Sequence, residues 1–127
     1  GIIMLKKTKL GVAITLAATL SASVAFAENI KIAFVDPLSG PFATTGTNGA
    51  AEWTYAADVL VNDKGGVLGG KNFEIVTFDN KMSGKESLIQ VQVAIDQGIR
   101  FIAQGNSSGI AAAIKGNIPE IANKQCS

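Results

Sequence analysis

The sequence predicts an α/β fold built on a parallel, doubly wound sheet. Two observations predict it. From residue 30 onward, segments of strand length alternate with amphipathic segments of helix length, and short connections rich in glycine and polar residues join them. Alternation of this kind is typical of parallel strands joined by right-handed crossovers, with helices on both faces of the sheet.

The first predicted strand is the apolar, β-branched segment at residues 31–35, which stops at Asp36 and Pro37. A polar loop follows, and a helix is predicted over residues 48–62. Its apolar positions recur at helical spacing and share one face: Ala50, Trp53, Ala57 and Leu60. For Trp53 and Tyr55 we expect packing of the helix rather than ligand stacking.

The second strand–helix unit begins after Gly65 and Gly66, which suit the left-handed conformation that ends a helix. Residues 71–79 alternate in polarity and predict the second strand. Ser83 and Glu86 have the spacing of a capping box, which predicts the start of a helix with Leu88, Val91 and Ile95 on one face.

The third unit is shorter. Residues 99–103 predict a strand, residues 105–109 a polar loop, and residues 110–114 the start of a helix. Gly116 and Pro119 predict an interruption of that helix, because both residues disfavour helix interiors.

Residues 1–27 are typical of a secretory signal peptide preceded by a few upstream residues. They combine three lysines at positions 6, 7 and 9, an apolar run over residues 10–20, and the A-x-A pattern Ala25-Phe26-Ala27, which predicts cleavage between Ala27 and Glu28. A transmembrane anchor is the alternative, but the apolar run is short for a bilayer and rich in alanine and threonine.

Composition excludes several classes of function. Removal of residues 1–27, with three lysines and no acidic residue, would change the net charge from +1 to −2, and no basic patch suited to nucleic acid remains. The chain has no histidine, so Ser-His-Asp and Cys-His catalysis and histidine metal sites are excluded. Its single cysteine, Cys126, leaves no disulfide within the chain and no lipid attachment site after the leader.

Three motifs, in this order and spacing, carry a family resemblance over residues 30–114. They are Pro37-Leu38-Ser39-Gly40-Pro41-Phe42-Ala43 with Gly46, the turn Val61-Asn62-Asp63-Lys64-Gly65-Gly66-Val67-Leu68-Gly69-Gly70, and Phe78-Asp79-Asn80. The chain resembles periplasmic substrate-binding proteins of the branched-chain amino acid ABC transporter type, within the type I periplasmic binding proteins.

The resemblance implies that residues 28–127 are a truncated amino-terminal ligand-binding lobe, with a flavodoxin-like sheet of strand order 2-1-3. It implies a periplasmic, monomeric protein without cofactor or enzymatic activity, which captures an amino acid or a similar small carboxylate or amide for a membrane permease. An extracytoplasmic ligand-sensing receptor domain and a secreted flavodoxin-like enzyme are the alternatives with the same fold class.

Two loops carry the candidate ligand-binding residues. In a sheet ordered 2-1-3, the loops after the first and third strands flank one crevice. The candidates are Ser39 and Thr45 in the first loop, and Asn106, Ser107 and Ser108 in the second. Ser107 and Ser108 lie at a helix start, where N–H groups and the helix dipole favour an anion, although serine is also an ordinary helix cap. The resemblance implies that this loop meets a ligand α-carboxylate.

No catalytic or metal site is predicted. Asp36 and Asp79 end neighbouring strands, but no base, nucleophile or cofactor motif accompanies them, and we expect them to cap helices or hold loops. The acidic residues lack the spacing of a calcium loop. The glycine-rich segment at residues 65–70 leaves a helix and enters a strand, the reverse of a phosphate-binding loop.

Overall fold

The computed structural model describes residues 28–126. Within them, three parallel strands form one sheet in the order β2-β1-β3: β1 (Ile30–Asp36), β2 (Phe73–Asp79) and β3 (Phe101–Ala103). The predicted fold class and strand order are therefore confirmed. The predicted signal peptide lies outside the described residues.

Three helices connect and follow these strands: α1 (Ala43–Leu60), α2 (Gly84–Asp96) and α3 (Ser108–Cys126). A short 3₁₀ turn, Gly40–Phe42, leads into α1, and another, Asn62–Lys64, follows it. Gly65 ends the second turn in the left-handed conformation with φ 95°, as its sequence position predicts.

The register brings the ends of β1 and β2 together. Every residue of β1 pairs with one of β2, from Ile30 with Phe73 to Asp36 with Asp79. β3 pairs with β1 only through residues 32–34. The predicted neighbourhood of Asp36 and Asp79 at one sheet edge is thus confirmed, and that edge is where ligands bind in open parallel sheets.

The core lies between one face of the sheet and the helices α2 and α3. Ala33 and Val35 of β1 are fully buried there, together with Val91 of α2. Leu88 and Ile95 pack against the same cluster, which confirms the predicted face of α2. Three isoleucines of α3, Ile110, Ile114 and Ile121, complete the cluster.

α1 lies on the opposite face, where the ring of Phe34 meets that of Trp53 at a centroid distance of 6.0 Å. The predicted apolar face of this helix is only partly covered: Ala57 is buried, whereas Leu60 is 64% exposed. Tyr55 is 70% exposed, so the expectation that it packs is wrong. Helical periodicity identifies residues that share a face, but it does not supply the surface that covers them.

Two helix boundaries differ from the prediction. α1 begins at Ala43 rather than at residue 48, because the 3₁₀ turn feeds directly into it through a hydrogen bond from Ala43 N–H to the Gly40 carbonyl. No side chain caps α1, so the usual start signal is missing. α3 continues through Gly116 and Pro119 without the predicted interruption.

Only one of the two hydrogen bonds of the predicted capping box forms at the start of α2. Ser83 Oγ accepts from the Glu86 N–H at 3.2 Å. The Glu86 carboxylate instead accepts from Gln90 Nε2 at 2.9 Å, and the Ser83 N–H donates to the Asn80 carbonyl. The Asn80 carbonyl thus replaces the glutamate as partner of the capping residue.

Candidate ligand-binding cleft

An open cleft of about 400 Å³ lies at the carboxyl ends of β1 and β3, between the first half of α1 and the loop that follows β3. This volume suits a small molecule. Its lining combines two aromatic rings, two carboxylates, hydroxyls, amides and glycine backbone: Phe34, Asp36, Thr44, Thr45, Asn48, Gly49, Glu52, Trp53, Gly105 and Asn106.

Two glycines let both walls approach the end of β1. A Cβ atom on Gly49 of α1 would lie 3.0 Å from Cζ of Phe34, and one on Gly105 would lie 3.3 Å from Oδ2 of Asp36. Real Cβ contacts are rarely this short, so a side chain at either position would require the Phe34 ring or the Asp36 carboxylate to shift by a few tenths of an ångström. The glycines therefore allow both walls to lie close to the end of β1.

Asp36 forms the floor of the cleft and is only 2% exposed. Its Oδ1 accepts from the Asn106 backbone N–H at 3.1 Å. Burial raises the pKa of this carboxyl above its ordinary value, and hydrogen bonds from the backbone of Asn106 and Gly105 oppose that rise without cancelling it.

Asn106 lines the cleft and carries a side-chain donor that has no partner among the described residues. Its backbone N–H is held by Asp36, while its side-chain Nδ2 is buried. A buried amide donor without a partner is unfavourable, because its bonds to water have been lost without replacement.

Ser107 and Ser108 lie at the start of α3, next to the cleft but outside its lining. Ser107 Oγ accepts from the Ile110 N–H at 3.3 Å, and its carbonyl accepts from the Ala111 N–H at 2.9 Å. With the Gln104 amide oriented so that its oxygen faces the loop, that oxygen accepts from the N–H groups of Asn106 and Ser107. Hydrogen bonds with the first turn of α3 and with the Gln104 side chain therefore hold the loop in place.

The two candidates in the first loop, Ser39 and Thr45, lie in different environments. Thr45 lies in the first turn of α1 and lines the cleft, whereas Ser39 is exposed, lies outside the lining, and donates its hydroxyl to the Asp79 carboxylate. The same carboxylate accepts from the N–H groups of Leu38 and Lys81, each at 2.9 Å. Burial opposes ionisation of Asp79, but these hydrogen bonds prevail and hold its pKa below the ordinary value.

Sequence reasoning missed several lining residues because it started α1 too late. Thr44, Asn48 and Glu52 recur every four residues, so the true helix carries a polar stripe toward the cleft. The spacing was visible, but two of the three residues lay at or before the predicted helix start. Trp53 packs against Phe34, as expected, and it is also 42% exposed and lines the cleft.

Within residues 28–124, no group of three acidic side chains is arranged to hold a metal ion. None of the helices within residues 28–126 has the length and apolar character needed to cross a membrane.

Comparisons with known proteins agree with this geometry. The family model described as periplasmic binding protein matches residues 29–121. The Leu/Ile/Val-binding protein homolog 4 of Brucella abortus (strain 2308) is 37% identical over 109 residues, which cover 82% of this chain and 24% of the relative. The Leu/Ile/Val-binding protein of Escherichia coli (strain K12) is 33% identical over 64% of this chain and 22% of its own length.

A solved structure shares the fold. The leucine-, isoleucine-, valine-, threonine-, and alanine-binding protein from Brucella ovis, in its closed conformation, aligns with a TM-score of 0.67 and 33% identity, over 77% of this chain and 25% of that one. The chain thus spans about a quarter of the length of the relatives that it matches. Because the family model covers most of the chain, from before β1 into α3, the chain belongs to the periplasmic binding protein family.

Proposed function

We propose that this chain supplies part of the first lobe of a periplasmic solute-binding protein, which captures an amino acid or a similar small carboxylate or amide for an ABC importer. The observation that carries the proposal is the cleft of about 400 Å³ at the carboxyl ends of β1 and β3. Ligands of open α/β sheets bind at this edge. The proposal draws its ligand class from relatives whose names state Leu/Ile/Val binding.

The described side chains suit the two ends of an amino acid. The hydroxyls of Ser107 and Ser108 at the positive end of α3 would donate to a carboxylate, and Asn106, which precedes them, lines the cleft. A serine hydroxyl donates while its oxygen accepts, so capping of Ile110 leaves the Ser107 proton available. The Thr45 hydroxyl and the rings of Phe34 and Trp53 would meet the remainder of the ligand.

Binding without catalysis is the proposed activity. Asp36 and Asp79 accept hydrogen bonds from loop backbone groups, so in this reading both carboxylates hold loops, and Ser39 serves Asp79 rather than the ligand. Retention of the ligand would come from closure of a second lobe over this cleft.

The ligand role of the α3 start is tested in the full-length gene product by calorimetric titration with leucine, isoleucine, valine, threonine and alanine. The double variant Ser107→Ala/Ser108→Ala should weaken binding of the preferred ligand by about tenfold or more, since hydrogen bonds to charged groups contribute roughly 1.5–3 kcal/mol each. The control Thr54→Ala removes an exposed hydroxyl that bonds the Ala50 carbonyl and lies outside the cleft lining. Affinity within twofold of the parent in the double variant would exclude these serines as major contacts.

The same proposal includes export by a cleaved leader. Mass spectrometry of periplasmic protein from an expressing bacterium should find a mature amino terminus at Glu28. Cytoplasmic protein that keeps the leader, and so begins before Glu28, would contradict export.

A further inference from the structure

We propose that Asp36 is a positioning residue for ligand binding: its carboxylate ties β1 to the loop between β3 and α3 and so sets where Asn106 and the start of α3 meet the ligand. The inference rests on the proposed function, because it concerns the same cleft.

The first support is the hydrogen bonding of Asp36, which reaches both neighbouring strands. Its carboxylate accepts from the backbone N–H groups of Asn106, at 3.1 Å, and Gly105. Its own carbonyl accepts from the Asn80 N–H at 3.2 Å, directly after β2. Asp36 therefore joins three strand ends that lie far apart in the sequence, at the edge where the cleft opens.

The second support is the space around the carboxylate. Oδ2 lies 3.3 Å from where a Cβ of Gly105 would be and 3.8 Å from where a Cβ of Gly49 would be. The carboxylate thus fills the gap between α1 and the β3–α3 loop, and its length determines how closely the loop approaches. A shorter side chain would remove this acceptor from the Gly105 N–H and would leave the Asn106 N–H with the Gln104 oxygen alone.

The charge of Asp36 at a buried position also supports the proposal. Asp36 is 2% exposed, and the cleft lining contains no lysine or arginine that could balance it. The other acidic lining residue, Glu52, adds negative charge on the α1 side. Burial of an ion without a counter-ion lowers stability, whereas N–H bonds to an ion are shorter and stronger than those to a neutral acceptor. A carboxylate at this position therefore lowers the stability of the fold, but it holds the β3–α3 loop more firmly than a neutral acceptor would.

The experiment distinguishes an effect of Asp36 on the position of the loop from an effect on the stability of the fold. In the full-length gene product, Asp36→Asn keeps the size and one acceptor oxygen, and Asp36→Ala removes both acceptors. Asp63→Asn is the matched control, since it removes one negative charge from an exposed site in the turn after α1. Ligand affinity is measured by calorimetry with the preferred amino acid of the panel, stability by urea unfolding, and loop order by hydrogen exchange of the Gly105 and Asn106 amides without ligand.

We expect Asp36→Asn to weaken ligand binding by about tenfold, because a neutral amide oxygen holds the loop N–H groups less firmly than a carboxylate does, while its urea midpoint equals or exceeds that of the parent. The Gly105 and Asn106 amides should exchange about tenfold faster in Asp36→Ala. Asp63→Asn should change neither affinity nor exchange.

Three results would overturn the inference. One is parental affinity in Asp36→Asn and Asp36→Ala when the parent binds a ligand. Another is unaltered exchange of the Gly105 and Asn106 amides in Asp36→Ala. The third is failure of both variants to fold, which would make Asp36 a residue of the fold alone. If the parent itself binds no amino acid of the panel, the proposed function fails instead, and the exchange measurement still reports whether Asp36 holds the loop.

Discussion

At the scale of single residues, Gly46 decides how α1 meets the loop that precedes it. Gly46 is buried in the first turn of α1, and a Cβ atom there would collide with the carbonyl oxygen of Pro37. The Pro37 carbonyl belongs to the backbone, so no flexible side chain could move aside to relieve the collision. Only glycine therefore allows the helix to start this close to the end of β1.

Gly46→Ala should lower the free energy of unfolding by about 2–3 kcal/mol or prevent folding, because overpacking against rigid backbone is relieved only by moving α1. Urea unfolding of the full-length gene product measures the effect. Gly84→Ala is the control, since a Cβ on Gly84 has nothing within 4 Å. Equal stability of the two variants would contradict the proposed close contact.

Asp36 and Asp79 should respond to pH in opposite directions. The pKa of Asp79 is held below the ordinary value of 3.8, so its contribution to stability is present above that pH and is lost as pH falls through the folded-state pKa. The pKa of Asp36 is raised above 3.8, so ionisation lowers stability, and the loss is relieved as pH falls through its folded-state pKa.

The measurement is the free energy of unfolding between pH 3 and pH 7, compared with Asp36→Asn and Asp79→Asn. On lowering the pH, the parent should gain stability relative to Asp36→Asn and lose it relative to Asp79→Asn. Parallel pH profiles for parent and variants would show that neither carboxylate is perturbed as described.

At the scale of elements, α3 shows packing prevailing over local propensity. Gly116 and Pro119 disfavour a helix, yet α3 runs from Ser108 to Cys126. Its buried isoleucines, Ile110, Ile114 and Ile121, recur at helical spacing against the core cluster shared with α2. Burial of these side chains offsets the weak residues on the exposed side.

Gly116→Ala should therefore stabilise the protein by about 0.5–1 kcal/mol, because Gly116 is exposed within a helix and a Cβ there meets nothing within 4 Å. Thermal or urea unfolding detects the gain. Gly49→Ala, also within a helix, should destabilise instead, since its Cβ would lie 3.0 Å from Cζ of Phe34. A loss of stability in Gly116→Ala would mean that α3 does not continue through this position.

At the scale of the whole molecule, the described residues leave apolar surface and a strand edge uncovered. Among residues 28–126, β3 pairs only with β1, and Phe101 on it is 57% exposed. Leu60 and Val59 on α1 are exposed as well. Unpaired strand edges beside apolar surface favour association with other chains.

Residues 28–127 expressed alone should accordingly fold poorly or aggregate, and should bind no amino acid tightly, because this small unit lacks the surfaces that would cover its edge and close its cleft. Size-exclusion chromatography, urea unfolding and amino acid titration check this. Cooperative unfolding of a monomer together with micromolar affinity would contradict it.

The sequence by itself determined the fold class, the core face of α2 and the meeting of Asp36 with Asp79. These follow from hydrophobic periodicity and from the topology of parallel units, which are local or nearly local properties. The strand order 2-1-3 was implied by the family resemblance. The sequence also placed Thr45 and Asn106 near one crevice, because loops after neighbouring strands meet at one sheet edge.

Only the tertiary structure decided where α1 begins, that α3 continues past Pro119, and that Trp53 faces the cleft. Each depends on a contact between residues distant in the chain: Gly46 on the Pro37 carbonyl, the α3 isoleucines on the core, and Trp53 on Phe34. The position of the β3–α3 loop likewise depends on Asp36, 70 residues before Asn106. Spacing along the sequence does not encode such contacts, because they arise only when packing brings the elements together.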